Sequence, residues 1–255
     1  MFAAVDAYDR HIGRYSPKLA RKLVDLAGVK PTDRALDVGC GPGALTGELV
    51  ARLGVDHVAA VDPSPSFLEA CRLRYPGITA EVASAESLPF DDDEFDVTLA
   101  QLVVNFMDDP HAGVGEMSRV TRPGGAVAGA VWDYGGGMTL LRSFWDAAVA
   151  VNPSDGQRDE RNMRMATPEE LSDLWRAVGL DQVGVSEGVV SASYRGFEDL
   201  WQPLEMGVGP AGAYAASLNQ HDRDALKQAM GARLGVGETP FELTARAWIV
   251  TGRVA

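Results

Sequence analysis

Apolar residues fall along this chain in short runs separated by amphipathic stretches. Residues 35–38 form one apolar run that closes on glycines, which predicts a buried strand and a tight turn. Residues 44–53 read as the helix that follows. Further strands are predicted over 57–61, 78–82, 95–99 and 126–132. Between them, Pro63 opens a helix that carries Phe67, Leu68 and Cys71 on one face. A second helix over 111–120 is stopped by Arg122-Pro123-Gly124-Gly125. Ahead of the first strand the chain reads as helical, with Leu19, Leu23 and Leu26 on one stripe and Gly28 as the stop. Strands and helices thus alternate, which specifies an α/β fold: a parallel sheet with helices on both faces, doubly wound by right-handed connections.

After Trp132 the rhythm changes. Residues 140–151 read as a helix with Leu141, Phe144, Trp145 and Ala148 on one side. Residues 152–165 are polar and loop-like. Residues 168–178 form a helix for which Thr167 is the expected cap. Segments 183–194 and 241–250 have strand character, and 196–237 is largely helical and rich in Gly, Met and aromatics. The expected organisation is a single domain over 1–255. Its core is 30–133 plus 166–195 and 238–255, with helical cap insertions at 134–165 and 196–237.

Composition narrows the function classes. The formal charge is −13, which repels nucleic-acid backbones. The densest basic stretch, residues 10–30, is broken by acids and apolar residues. No run approaches the roughly 20 apolar residues of a membrane span, and the charged N-terminal segment lacks a signal-peptide core. Cys40 and Cys71 are the two cysteines; one sits in a glycine loop and the other in a helix, so reduced thiols and a cytoplasmic protein are expected. His11, His57, His111 and His221 show no metal-ligand spacing, and no metal is expected.

The candidate chemistry begins at Asp37-Val38-Gly39-Cys40-Gly41-Pro42-Gly43. A glycine loop after a strand lets backbone approach a ligand closely and presents the N-terminus of the next helix. Gly39, Gly41 and Ala44 also satisfy a dinucleotide fingerprint. Asp37, two residues before the first glycine, and Pro42, which removes an N–H from the loop, both weigh against pyrophosphate. Asp62, at the end of the second strand, can accept ribose hydroxyls in either case, and doubles as a helix cap before Pro63.

These motifs, with Ala83-Ser84-Ala85-Glu86 before the acidic turn 91–94 and Arg122-Pro123-Gly124-Gly125 further on, resemble the class I S-adenosylmethionine (SAM)-dependent methyltransferases. The likeness covers roughly residues 30–133, and the branch it resembles is that of ubiquinone and menaquinone biosynthesis. It implies a Rossmann-like seven-stranded, mostly parallel sheet whose last strand is antiparallel, with segments 183–194 and 241–250 as strands six and seven. It implies SAM as cofactor, held by Asp37, Gly39, Cys40, Gly41, Asp62, Pro63, Ser84, Ala85, Glu86 and Gln101. Ser84 stands where the family usually has Asp. The N-terminal segment 8–15 looks like one that folds over the cofactor in such enzymes, which adds Tyr8 and Arg14 to the cofactor set.

The expected reaction is methyl transfer to a small-molecule acceptor, achieved mainly by in-line placement at about 3 Å in a dry pocket. Tyr15 and His11 are the candidate catalytic residues, with His111 and Glu205 also able to serve as a base. Aromatic and Met side chains of the insertions suit an apolar acceptor pocket. No nucleic acid and no membrane span are expected as partners; a homodimer is. A non-catalytic SAM-binding protein and an NAD(P)-dependent oxidoreductase are the alternatives.

Overall fold

The computed structural model describes residues 9–255. Seven strands form one sheet: β1 (Ala35–Val38), β2 (Val58–Asp62), β3 (Thr79–Val82), β4 (Phe95–Gln101), β5 (Thr121–Trp132), β6 (Asp181–Tyr194) and β7 (Phe241–Arg253). Their order is β3-β2-β1-β4-β5-β7-β6. The β1–β2, β1–β4, β2–β3 and β4–β5 pairs are parallel. β7 runs antiparallel to β5: Gly124 N–H donates to Val254 O, while further up the strand Asp133 N–H donates to Arg246 O. The fold is the expected mostly parallel, doubly wound sheet with its last strand reversed.

The described residues form nine α-helices, α1 (Ser16–Ala27), α2 (Ala44–Leu53), α3 (Pro65–Arg74), α4 (Pro110–Arg119), α5 (Thr139–Val151), α6 (Pro168–Ala177), α7 (Phe197–Glu205), α8 (Gly209–Ser217) and α9 (Gln220–Leu234). By compactness the chain divides into two units. One comprises Ser16–Val131, Arg164–Gly188 and Ala247–Ala255; the other comprises the segment up to Tyr15, Trp132–Met163 and Val189–Arg246.

In the first unit every residue of β1 and β2 is buried, as central parallel strands covered on both faces require. α1 buries Leu19, Ala20, Leu23, Val24 and Ala27. Leu26, expected on that stripe, is 44% exposed, because the buried arc of the helix is centred on Ser16, Leu23 and Ala27 and Leu26 falls at its edge, beyond Leu19. α6 begins with a capping box between Thr167 and Glu170. Its Trp175 Nε1 donates to Val127 O at 3.0 Å, securing the helix to β5.

β5 starts five residues earlier than its apolar pattern suggests. Arg122-Pro123-Gly124-Gly125 does not merely stop α4; it forms an irregularity within the strand, where pairing with β4 slips between Phe95 and Val97. A bulge tolerates proline because the missing N–H lies outside the regular ladder.

The second unit is built from α5, α7, α8, α9 and two short 3-10 turns, Pro153–Arg158 and Glu160–Asn162, with the adjoining strand ends. Phe144, Trp145, Trp201 and Tyr214 share its aromatic core. Three of its buried acids have donors beside this core: Trp145 Nε1 serves Glu160 at 2.7 Å, Tyr214 Oη serves Asp155 at 2.5 Å, and Arg142 Nη2 serves Asp159 at 2.6 Å.

Candidate cofactor site

Strand order reverses at β1, which has β2 on one side and β4 on the other. In open α/β sheets the crevice at such a point, outside the carboxyl ends of the strands, is where ligands bind. The loops after β1 and β4 and the end of β2 meet the side chains expected there.

The glycine loop leaves β1 through two backbone bonds to one acceptor: Gly39 N–H and Cys40 N–H both reach Val61 O, at 2.8 and 2.9 Å. Gly39 adopts φ +71°, and a Cβ there would stand 2.4 Å from a Val103 methyl. Only glycine meets both demands. At Gly41, by contrast, a Cβ would meet nothing within 4 Å, although φ is +52°. The loop is thus braced from behind and open in front. Arg74 Nη1 holds its Pro42 carbonyl at 3.0 Å.

Asp62 fastens the same loop. Its Oδ2 accepts from Gly41 N–H and its Oδ1 from Ser64 N–H, both at 2.8 Å. Burial pushes its carboxyl up, and the two N–H donors oppose this. Each oxygen keeps a further lone pair for a ribose hydroxyl. The helix cap is Ser64 rather than Asp62: α3 starts at Pro65, with Ser64 Oγ accepting from Phe67 N–H. Pro63 lies exposed between Asp62 and that cap.

Asp37 is buried within β1. Burial pushes its pKa up to about 7; the Thr46 hydroxyl, donating to Oδ2 at 2.6 Å, opposes this, and the Asp62 charge adds to it. Asp37 Oδ1 has no partner. Gln101, at the end of β4, gives Nε2 to Ser16 O at 3.2 Å, while its buried Oε1 likewise lacks one. The residue after it, Leu102, has φ +63°. A backbone strained in this way must be over-determined by its surroundings, as is typical of functional sites. Sequence reasoning missed Leu102, Thr46 and Val103, since nothing in a Leu, Thr or Val marks it before the β4 and glycine loops are placed.

After β3, Ala85 is buried and Ser84 exposed. The Glu86 carboxyl sits below its ordinary range. Its partial burial works against this, and its own N–H, the Ser84 hydroxyl and the Asp109 and Asp108 N–H groups outweigh that effect. The Ser84 hydroxyl therefore has an intramolecular acceptor.

The expected N-terminal residues belong to the other unit. Tyr8 lies outside the described residues. Arg14 pairs bidentately with Asp199, at 3.0 and 2.8 Å, and stacks over the Tyr194 ring. Tyr15 is fully buried, its hydroxyl 3.0 Å from that of Tyr194, and burial pushes its pKa up to about 12. His11 is buried with Nδ1 unpartnered; burial, with the Arg14 charge, lowers its pKa to about 4, so the imidazole is neutral at pH 7. Among the described residues no cluster of His, Cys, Asp or Glu has the geometry for a metal. No helix among them is long and apolar enough to cross a membrane.

SAM fits this arrangement. The two orphaned atoms, Asp37 Oδ1 and Gln101 Oε1, are both acceptors, and an ammonium group or hydroxyls supply the donors they lack. A pyrophosphate, which presents only acceptors, would leave both atoms unsatisfied.

Comparison with known proteins agrees. Residues 36–129 match the family model described as a methyltransferase domain. Over 131 residues the chain is 39% identical to an uncharacterized methyltransferase of Mycobacterium tuberculosis, covering 51% of each protein. Over 114 residues it is 35% identical to the demethylmenaquinone methyltransferase of Renibacterium salmoninarum, covering 45% of this chain and 47% of that one. The chain thus spans about half the length of the curated relatives it matches. Among solved structures, phosphoethanolamine N-methyltransferase 2 of Haemonchus contortus, in complex with S-adenosylhomocysteine, superposes with a TM-score of 0.57 at 16% identity; the match covers 92% of this chain and 52% of that one. Residues 36–129 thus match a methyltransferase domain, and the chain has the fold of the class I SAM-dependent methyltransferases.

Proposed function

We propose that this protein transfers the methyl group of SAM to a small-molecule acceptor. The observation that carries the reading is the pair of unpartnered buried acceptors, Asp37 Oδ1 and Gln101 Oε1, beside an open glycine loop. Those acceptors call for a donor such as the methionyl ammonium of SAM, which the pyrophosphate of a dinucleotide lacks. When bound, SAM supplies an electrophilic methyl on its sulfonium.

In this reading the chain's own residues bind and orient. Asp62 takes the ribose hydroxyls on its free lone pairs while holding the Gly41 N–H. The backbone of Gly39, Cys40 and Gly41, with Gln101 Oε1, receives the methionyl part. Ser84, Ala85, Glu86 and Pro63 frame the adenosine. Arg14 joins the set only by giving up its pair with Asp199. Among the candidate bases, His11 is neutral at pH 7 and has a free nitrogen lone pair, whereas Tyr15 remains a protonated phenol. The remaining catalysis is placement of the acceptor. Acceptor choice is assigned to the insertions 134–165 and 196–237, whose aromatic residues suit an apolar molecule. The partial identity with demethylmenaquinone methyltransferase supports the quinone-biosynthesis branch. Two buried free cysteines support a reducing, cytoplasmic setting.

Calorimetric titration with S-adenosylhomocysteine, beside NAD and NADP, tests the cofactor. Binding of S-adenosylhomocysteine alone is expected. Asp62→Ala should weaken it by roughly 10- to 100-fold, as loss of charge-assisted hydrogen bonds predicts. Binding of a dinucleotide instead would refute the reading.

A further inference from the structure

At one end of the sheet α1 stops, β5 and β6 begin and β7 finishes. Register places Ala126 of β5 level with Val97 of β4, and Val97 level with Ala35, the first residue of β1. The glycine loop follows Val38, the last residue of β1, so this end lies opposite the cofactor loop.

A cavity of about 180 Å³ opens here, within the first unit. Its deepest lining is apolar: Ala27 and Ala126 are buried, as is Gly252. Its polar lining is Gln182, Thr251 and Arg253, and no carboxylate faces it. Leu26, the apolar residue that α1 leaves exposed, stands at its rim.

The polar groups have donors to spare. Arg253 Nη2 reaches Ala27 O over a long 3.4 Å, and the guanidinium has no ion pair among the described residues. The Gln182 amide and the Thr251 hydroxyl make no hydrogen bond with the described residues. Gln182 also holds φ +51°, a backbone conformation that persists where its surroundings over-determine it, as at ligand clamps.

A crevice of about 30 Å³ adjoins the cavity, sharing Ala27, Ala126 and Arg253. Lys30, Asp33, Asp96 and Arg122 also line it. Both acids are engaged: Asp96 accepts from Arg34 N–H and pairs with Arg122 at 2.5 Å, and Asp33 accepts from Lys30 N–H at 2.8 Å. The Lys30 ammonium has no ion pair among the described residues. Three cations against two acids leave this edge net positive, in a chain whose formal charge is −13.

We propose that this cavity binds a small organic carboxylate, with its charge on Arg253, Gln182 and Thr251 and its apolar body against Leu26, Ala27 and Ala126. A guanidinium presents paired N–H donors matched to a carboxylate. The apolar lining calls for a hydrocarbon body, which an inorganic anion lacks. A cavity of roughly 150 Å³ is enough to hold benzene, so the space takes one ring with its carboxylate toward the polar side.

The test follows backbone amide signals of the full chain by NMR during titration with benzoate, benzamide and inorganic phosphate. Benzoate should shift the Gln182, Gly252 and Arg253 signals saturably, with a dissociation constant of roughly a millimolar or tighter. Benzamide, of the same shape without the charge, should bind at least about tenfold more weakly. Arg253→Gln should lower benzoate affinity by roughly 10- to 100-fold, and Arg253→Lys should restore only part of it. Because Arg253 also holds the end of α1, Leu26→Ser, a substitution at an exposed position, serves as a second variant and should weaken binding by roughly threefold or more. Absence of saturable shifts, equal binding of benzoate and benzamide, or affinity unchanged in both Arg253→Gln and Leu26→Ser overturns the site. Shifts confined to Lys30, Asp33 and Arg122 overturn its placement, and displacement of benzoate by an equal concentration of phosphate overturns the ligand class.

Discussion

Replacing Gly39 with alanine tests whether the cofactor loop is held in place by packing from behind. Two costs arise at this position. The φ of +71° places a non-glycine residue in the left-handed region, at about 1–2 kcal/mol. The new Cβ would stand 2.4 and 2.8 Å from the two methyls of Val103, and overpacking of this kind costs about 1–3 kcal/mol. The sum is about 2–5 kcal/mol, a large share of a domain's usual net stability. Urea unfolding of wild type, Gly39→Ala, Val103→Ala and the double variant separates the two costs. Val103→Ala removes both clashing methyls and leaves φ unchanged. The double variant should therefore recover the steric part, seen as a coupling of about 1–3 kcal/mol, and keep the conformational part. S-adenosylhomocysteine affinity should fall in Gly39→Ala and partly return in the double variant. Stability of Gly39→Ala within about 0.5 kcal/mol of wild type, or zero coupling to Val103, would refute the reasoning.

Two pH effects follow from buried acids. Burial raises the Asp37 carboxyl to about 7, so its contribution to stability is fully present below about pH 4 and lost as pH rises through about 7. Asp37→Asn, which can still accept from Thr46, should flatten that decline in urea unfolding between pH 4 and 7; an unchanged pH profile would show that Asp37 is not the titrating group. Asp199 behaves oppositely. The Arg14 guanidinium, 2.8 Å away, holds its carboxyl far below the usual range against partial burial, so the pair's stabilisation is complete above about pH 4 and lost as pH falls through the depressed value. Arg14→Gln should cost about 1–3 kcal/mol at pH 7 and progressively less in acid, and a penalty constant with pH would count against the ion pair.

Local pattern was enough for much of this site. β1, β2 and the glycine loop were legible because a four- or five-residue apolar run closing on glycine has few other foldings. The cap at Thr167 was legible for a similar reason, since its partner Glu170 lies three residues away. Assignments failed where a distant partner decides. Leu26 is apolar, but its direction depends on what α1 packs against. The reach of β5 into 121–125 depends on β4, which supplies the ladder that a Pro-Gly-Gly run would not sustain alone. Asp62 is legible as the polar end of β2, yet its partition between a cap and a loop anchor rests on the approach of Gly41.

The sequence alone determined the class of fold and the position of the glycine loop, because alternating periodicity and glycine placement are local properties of the chain. Only the tertiary structure decided the strand order, the wedging of Val103 behind Gly39, the bond from Gly41 to Asp62 and the pairing of Arg14 with Asp199. Each of these joins residues far apart along the chain, and their partners are selected by the closing of the sheet and the packing of its helices rather than by any neighbour in the sequence.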